Sequence, residues 1–264
     1  MAKGNRGGQK ANTAVAGSGN IQPTQKAQPT QPQVDDTQQA SDFSVDYNKF
    51  MAMTDDEKAD VIGDAIGKGV PDHLSQSDFQ KFIYNSGLND KPDIVDDATL
   101  NSMNGTEIFR TVNSVYDSGN DISYSADQIA KQVMAGKVTR TSDSGGSAYG
   151  RGLYFADTLR ESSSVYGNTT GDVKRTAVMR AKLNNNAKVI DSYDALTGAQ
   201  KEINSGSKLG KVLAKCDITS AESIYAMTKG YNVITSGNGY YNVLNRNAMT
   251  MSSTVKPKNT TYKW

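Results

Sequence analysis

The chain has 264 residues, with Lys+Arg 29 against Asp+Glu 28 and a net charge of +1. That balance offers no global field to draw it to nucleic acid or to an anionic membrane surface, and no apolar run reaches the roughly 20 residues of a bilayer span. One cysteine, Cys216, excludes an internal disulfide and a thiol-rich zinc site, and one histidine, His73, leaves a histidine-based triad or a pair of acid–base histidines nearly excluded.

Residues 1–42 are expected to form a disordered basic arm. Lys3, Arg6, Lys10 and Lys26 precede Val34 with no acid between them, and Gln, Thr, Pro, Gly and Ala supply most of the rest. Pro23, Pro29 and Pro32 favour extended backbone, and too little apolar surface is present to offset the entropy of ordering. The N-terminus lacks a signal peptide's apolar core, so secretion by that route is not expected.

From residue 43 to 103 the pattern turns helical, and a small helical subdomain is expected. Thr54-x-x-Glu57 is a capping box for Asp55–Gly67, where Ala59, Ile62, Ala65 and Ile66 share a face. Ser77–Asn85 groups Phe79, Phe82 and Ile83 and stops at Gly87. Two such helices cannot make a core alone, so they are expected to pack on the following domain or cap its cleft. His73 is expected at the surface. The acidic stretch Asp90–Asp97 lacks EF-hand spacing and reads as a solvated loop.

Thr106–Val112 reads as a strand with Ile108, Arg110 and Val112 on one face. A guanidinium in an apolar row needs an anionic partner or a route to water. Ser125–Ala135 follows as a helix with a Ser-x-x-Gln capping box and Gly136 as its stop. Residues 139–150 are small and polar, a mobile loop placed to close over a ligand.

The stretch Tyr149 to Tyr166 joins two glycines (Gly150, Gly152), a short strand Leu153–Ala156 and a helix capped by Asp157 or Thr158, with Glu161 in its first turn. Ser162 and Tyr166 stand four apart and share a helix face. A hydroxyl and an aromatic ring aimed the same way suit a flat polar ring that is stacked and hydrogen-bonded. Beyond it, Arg175–Leu183 and Lys188–Ile190 read as strands, Asp191 or Ser192 opens a helix toward Ile203, and Leu209–Ala214 is a further helical turn. Ser220 is expected to cap a helix through Lys229. A hairpin follows, Tyr231–Thr235 and Tyr240–Asn245 around Ser236-Gly237-Asn238-Gly239. Ala248–Ser252 adds a strand, and 256–264 is a loose basic tail. Strands separated by helices of uneven length, closing in a hairpin, predict an α+β domain.

The Gly-x-Gly-x-Tyr-Phe-Ala-Asp segment with its later serine and tyrosine resembles the nicotinamide-binding signature of ADP-ribosyltransferases, in particular the poly(ADP-ribose) polymerase-like branch. The segment Ile-Phe-Arg-Thr-Val at 108–112 resembles the first motif of the arginine-type branch. The ending, Lys-Gly-Tyr-Asn-Val-Ile followed by Tyr-Tyr-Asn-Val-Leu-Asn-Arg-Asn-Ala-Met, is similar to the last segment of phage-encoded members, and the opening Met-Ala-Lys-Gly-Asn-Arg-Gly-Gly is similar to the starts of some bacteriophage virion proteins. These likenesses imply an ADP-ribosyltransferase-like split β-sheet domain over 104–255, with NAD as substrate and no metal.

They also imply roles. Gly152 belongs to the glycine turn, Tyr154 and Tyr166 would sandwich nicotinamide, Ser162 would bond its carboxamide, and Arg110 would hold the phosphate or ribose side. An edge-strand arginine with its tip in water is the other reading of Arg110. The chain departs from the pattern twice. Tyr166 comes one residue late, and the catalytic glutamate is missing: the corresponding positions are Asn238, Gly239 and Tyr240. A remote carboxylate, Glu161 or Glu222, is the available substitute.

The expected activity is transfer of one ADP-ribose from NAD to a host protein, in a virion or in host cytoplasm. The alternatives are a non-catalytic virion component bound to other virion proteins and, third, an RNA-cleaving toxin. A membrane partner is not expected, nor nucleic acid beyond weak contact by the arm.

Overall fold

In the computed structural model, which describes residues 47–67, 91–116, 122–136, 152–166 and 176–257, local capping chemistry sets most helix starts. The expectations for the arm 1–42, Ser77–Asn85, His73, the loop 139–150 and residues 258–264 lie outside the described residues.

Helix α1 (Tyr47–Ala52) leads into α2 (Asp55–Gly67). The Thr54–Glu57 box is made in both directions: Thr54 N–H donates to Glu57 Oε2 at 2.7 Å and Glu57 N–H to Thr54 Oγ1 at 3.3 Å. Two elements follow where a solvated acidic loop is expected. Strand β1 (Asp93–Val95) runs parallel to a strand near the C-terminal end, and α3 (Asp97–Ser102) is capped by Asp96, which accepts from Thr99 N–H at 2.7 Å. The acids serve as a strand end and a helix cap, and a three-residue strand has no periodicity of its own to announce it.

Strand β2 (Glu107–Asn113) is followed by the short pair β3 (Val115–Tyr116) and β4 (Ile122–Tyr124), then α4 (Ala126–Met134), where both bonds of the Ser125–Gln128 box are present. Strand β5 (Leu153–Ala156) and helix α5 (Leu159–Tyr166) carry the central stretch. Next come β6 (Thr176–Leu183), β7 (Val189–Asp191), α6 (Ser192–Ser205), α7 (Lys208–Leu213) and α8 (Ile218–Thr228). The cap of α8 is Asp217, not Ser220: its Oδ1 accepts from the backbone of both Thr219 and Ser220, so Ser220 lies inside the first turn. A carboxylate that takes two of the helix's orphan amides outcompetes a hydroxyl three residues on. The hairpin β8 (Val233–Thr235) and β9 (Tyr240–Val243) is followed by a 3-10 turn (Arg246–Ala248), β10 (Met249–Ser252) and β11 (Lys256–Pro257). The tail therefore begins in the sheet, with Lys256 opposite Val178.

Among the described residues, nine strands form one mixed sheet in the order β1-β10-β6-β2-β5-β9-β8-β7, with β11 on β6, and β3 and β4 pair with each other in a second sheet. Pairs β1–β10 and β7–β8 are parallel and the other ladders of this sheet antiparallel, so the architecture is α+β. One core joins α4 to the sheet through Ile129, Val133, Ile108, Phe155 and Met179. The other gathers Phe50, Ala59, Ile62, Leu209, Leu213, Ile224 and Ile234. The first two helices thus share a core with α7 and α8, and β1 belongs to the sheet. In their described parts, residues 43–103 pack on the elements that follow, since neither α1 nor α2 has enough apolar surface to close a core by itself. Among the described residues, no helix is long and apolar enough to cross a membrane.

Candidate functional site

The strands that carry the three quoted segments, β2, β5 and β9, are consecutive neighbours in the sheet. The ladders of β2 and β5 are very unequal. Seven residue pairs join β2 to β6 and four join β5 to β9, but β2 and β5 share only Phe109↔Ala156. The sheet opens between β2 and β5.

Arg110 stands in that opening. Alternation puts it on the side of Ile108 and Val112, both buried against α4. Its Nη1 donates to the main-chain carbonyl of Tyr154 at 2.6 Å, a bond that spans the gap where the ladder has ended. A second guanidinium lies close by. Arg246 is buried and donates from Nη1 to Val133 O at 3.1 Å, near the C-terminal end of α4, where a positive charge complements the helix dipole. Burial, reinforced by the charge of Arg110, lowers the Arg246 pKa to about 10. Neither of the readings of Arg110 open at the sequence level includes this contact, because nothing in one strand announces where its ladder stops.

On the opposite side of the sheet the tyrosine strand meets α5. Leu153 and Phe155 face the α4 core, so alternation turns Tyr154 the other way, together with Gly152 and Asn242. Arg110 and the Tyr154 ring are therefore on opposite faces, and the link between them is through backbone. Tyr154 is buried. Gly152 is required by close approach: a Cβ there would overlap the Asn242 side-chain oxygen. Ser162, on α5, is completely buried, and its hydroxyl lies 3.0 Å from Thr111 Oγ1 on β2. Tyr154 and Ser162 thus come to the same face. Tyr166 closes α5; its side chain lies outside the described residues.

At the head of β9 stand Asn238, Gly239 and Tyr240, the positions that the resemblance matches to a glutamate. Gly239 has φ +81, and a Cβ built there would lie 2.5 Å from Asp157 Oδ2. The Asp157 N–H donates to Gly239 O at 2.8 Å, so the residue after the tyrosine strand is tied to the turn. Asn238 is exposed, and its N–H reaches Ser236 Oγ at 3.3 Å. An acid reaches this corner from α5 instead: Tyr240 OH donates to Glu161 Oε2 at 3.2 Å. Thr158 Oγ1 accepts from Glu161 N–H at 3.1 Å and fixes the first turn that presents it. Burial first, and the charge of Asp157 second, raise the pKa of Tyr241.

Glu222, the other remote carboxylate, is elsewhere. It is buried on α8, the helix whose Ala221 and Ile224 belong to the core with α1, α2 and α7, and burial pushes its carboxyl up to about 7. Among the described residues no hydrogen bond or ion pair reaches it. No three His, Cys, Asp or Glu side chains gather to hold a metal ion among the described residues.

The chain matches no protein-family model, and comparisons with curated proteins and with solved structures give no match.

Proposed function

We propose that this chain binds NAD and transfers a single ADP-ribose to an acceptor on another protein, a host protein if the chain is phage-borne. The observation that carries the reading is the adjacency of β2, β5 and β9, three strands from distant parts of the sequence, with a split at β2–β5 and Arg110 in it. A buried tyrosine and a buried serine share the face under α5, a pairing suited to a flat amide-bearing ring. Arg110 supplies a planar cation for a phosphate, provided the ligand reaches through the split to the other face.

A second reading has its own support. Ser162 is hydrogen-bonded to Thr111 and sealed, and the turn at Gly239 has no space for a side chain. Both favour a binding or structural part, such as a virion component, that keeps the sheet without the chemistry. Incubation with labelled NAD and a bacterial lysate separates the two. Label on one or a few protein bands, without polymer ladders, supports transfer; no label, with NAD still bound, supports the second reading.

A further inference from the structure

We infer that a cleft between α1, the turn before β7 and the stop of α8 binds a small oxyanion that also carries hydroxyls, with the size and chemistry of a sugar phosphate. The cleft has a volume of about 310 Å³, and Met51, Asn186, Lys188, Gly230, Asn232 and Asn247 line it. That volume suits a small molecule held by a few placed polar groups. Asn232 precedes β8, and its carbonyl accepts from Leu244 N–H, just after β9, at 2.8 Å. The cleft therefore lies at the end of the β8–β9 hairpin away from the Gly239 turn, and the inference is independent of the NAD reading.

Hydrogen bonds fix the walls. Asn184 Nδ2 donates to Asn247 O at 3.0 Å, Asn184 N–H donates to Ala248 O at 2.8 Å, and Thr250 Oγ1 donates to Asn184 Oδ1 at 2.9 Å. These bonds tie the turn that carries Asn186 to the 3-10 turn that carries Asn247. A second clamp joins Asn232 to Lys188. Asn232 N–H donates to Lys188 O at 2.8 Å, and Lys188 N–H donates to Asn232 Oδ1 at 3.1 Å. Gly230 keeps the space open: with φ +85, a Cβ there would lie 2.8 Å from Met51 Cε and 3.9 Å from Lys188 Nζ. The lysine head thus lies beside the glycine.

The chemistry left over defines the ligand. Among the described residues, the Lys188 ammonium and the side-chain amides of Asn186 and Asn247 make no hydrogen bond or ion pair. Lys229, next to Gly230, is taken up by Asp55, and no carboxylate lines the cleft. One positive charge is therefore available for an oxyanion, and two amides, each able to donate and accept, are available for hydroxyls. The Met51 thioether offers an apolar contact to the C–H face of a ring. A neutral sugar would leave the lysine unmatched, and bare phosphate would leave the amides and Met51 unused.

Amide NMR spectra of the full chain, titrated with glucose-6-phosphate, glucose or inorganic phosphate, test the inference. The side-chain signals of Asn186 and Asn247 report the site, each assigned by its loss in the corresponding Asn→Asp variant. Glucose-6-phosphate is expected to shift both signals saturably at about millimolar concentration, with glucose and inorganic phosphate each at least about tenfold weaker. Lys188→Met is expected to weaken binding about tenfold or more through loss of a charged hydrogen bond, and Lys188→Arg to keep most of it. Lys188 and Asn186 are exposed, so neither substitution is expected to change the melting temperature. Asn186→Asp, which sets a negative charge beside the oxyanion, is expected to weaken binding as well. No saturable shift with glucose-6-phosphate overturns the inference. So does equal affinity for glucose or for inorganic phosphate, or an affinity that Lys188→Met and Asn186→Asp leave unchanged.

Discussion

The guanidinium of Arg110 donates to the backbone carbonyl of Tyr154 at 2.6 Å, beside the single described ladder pair of β2 and β5. The arginine therefore replaces backbone pairing with a side chain. Arg110→Ala leaves a carbonyl on a buried strand short of this donor. It also relieves repulsion with Arg246, whose lowered pKa owes part of its shift to Arg110. The unmet carbonyl is the larger effect, so a net loss of about 1–2 kcal/mol is expected, read as a lower denaturant midpoint. Arg110→Lys should recover only part of it, because an ammonium lacks the planar reach of the fork.

Gly239→Ala is expected to destabilise by about 1–3 kcal/mol, because its φ of +81 is strained for any residue with a Cβ and Asp157 already fills that space. Gly239→Glu should lose at least as much and gain no turnover. An unchanged midpoint for Gly239→Ala would show that the turn relaxes freely and that this corner has room for a side chain.

Glu222 makes stability depend on pH. Burial raises its folded pKa from 4.5 to about 7, so the folded chain holds a proton that the unfolded chain releases. Between those values the folded state binds more protons, and stability falls as pH rises from about 4.5 through 7. The full shift overstates the effect because solvent relaxes part of the penalty; roughly 1–2 kcal/mol is expected. Glu222→Gln should match the unsubstituted protein near pH 4.5 and exceed it in melting temperature at pH 8. Equal melting temperatures at both pH values would mean that the carboxyl reaches water.

How much of this was legible in the sequence follows from the range of each interaction. Capping boxes act over three residues, so Thr54–Glu57 and Ser125–Gln128 could be read directly, and they are made as read. The hairpin around Ser236–Gly239 and the strand Leu153–Ala156 were likewise local signals, from turn glycines and an apolar run. What failed was non-local. Strand β1 exists because Asp93–Val95 lies along Thr250–Ser252, and the start of the tail exists as β11 because Lys256 meets Val178. In the candidate site, the types of residue were legible but their faces relative to one another were not. Arg110 and Tyr154 fall on opposite sides because of the register between β2 and β5, which no single strand encodes. Glu161 was visible as a carboxylate in a helix's first turn, and only the fold joins it to Tyr240.

The account stands or falls on whether the β2–β5–β9 region binds NAD. The most direct measurement is the thermal shift of the full chain, with and without NAD at about millimolar concentration, repeated for Tyr154→Leu and Arg110→Ala. The account predicts a rise in melting temperature with NAD, by the mass action of a ligand that binds only the folded state. It predicts that each substitution weakens that rise by the equivalent of about 1–3 kcal/mol, through lost stacking or a lost charged hydrogen bond. No shift with NAD, or a shift that both substitutions leave intact, would contradict it.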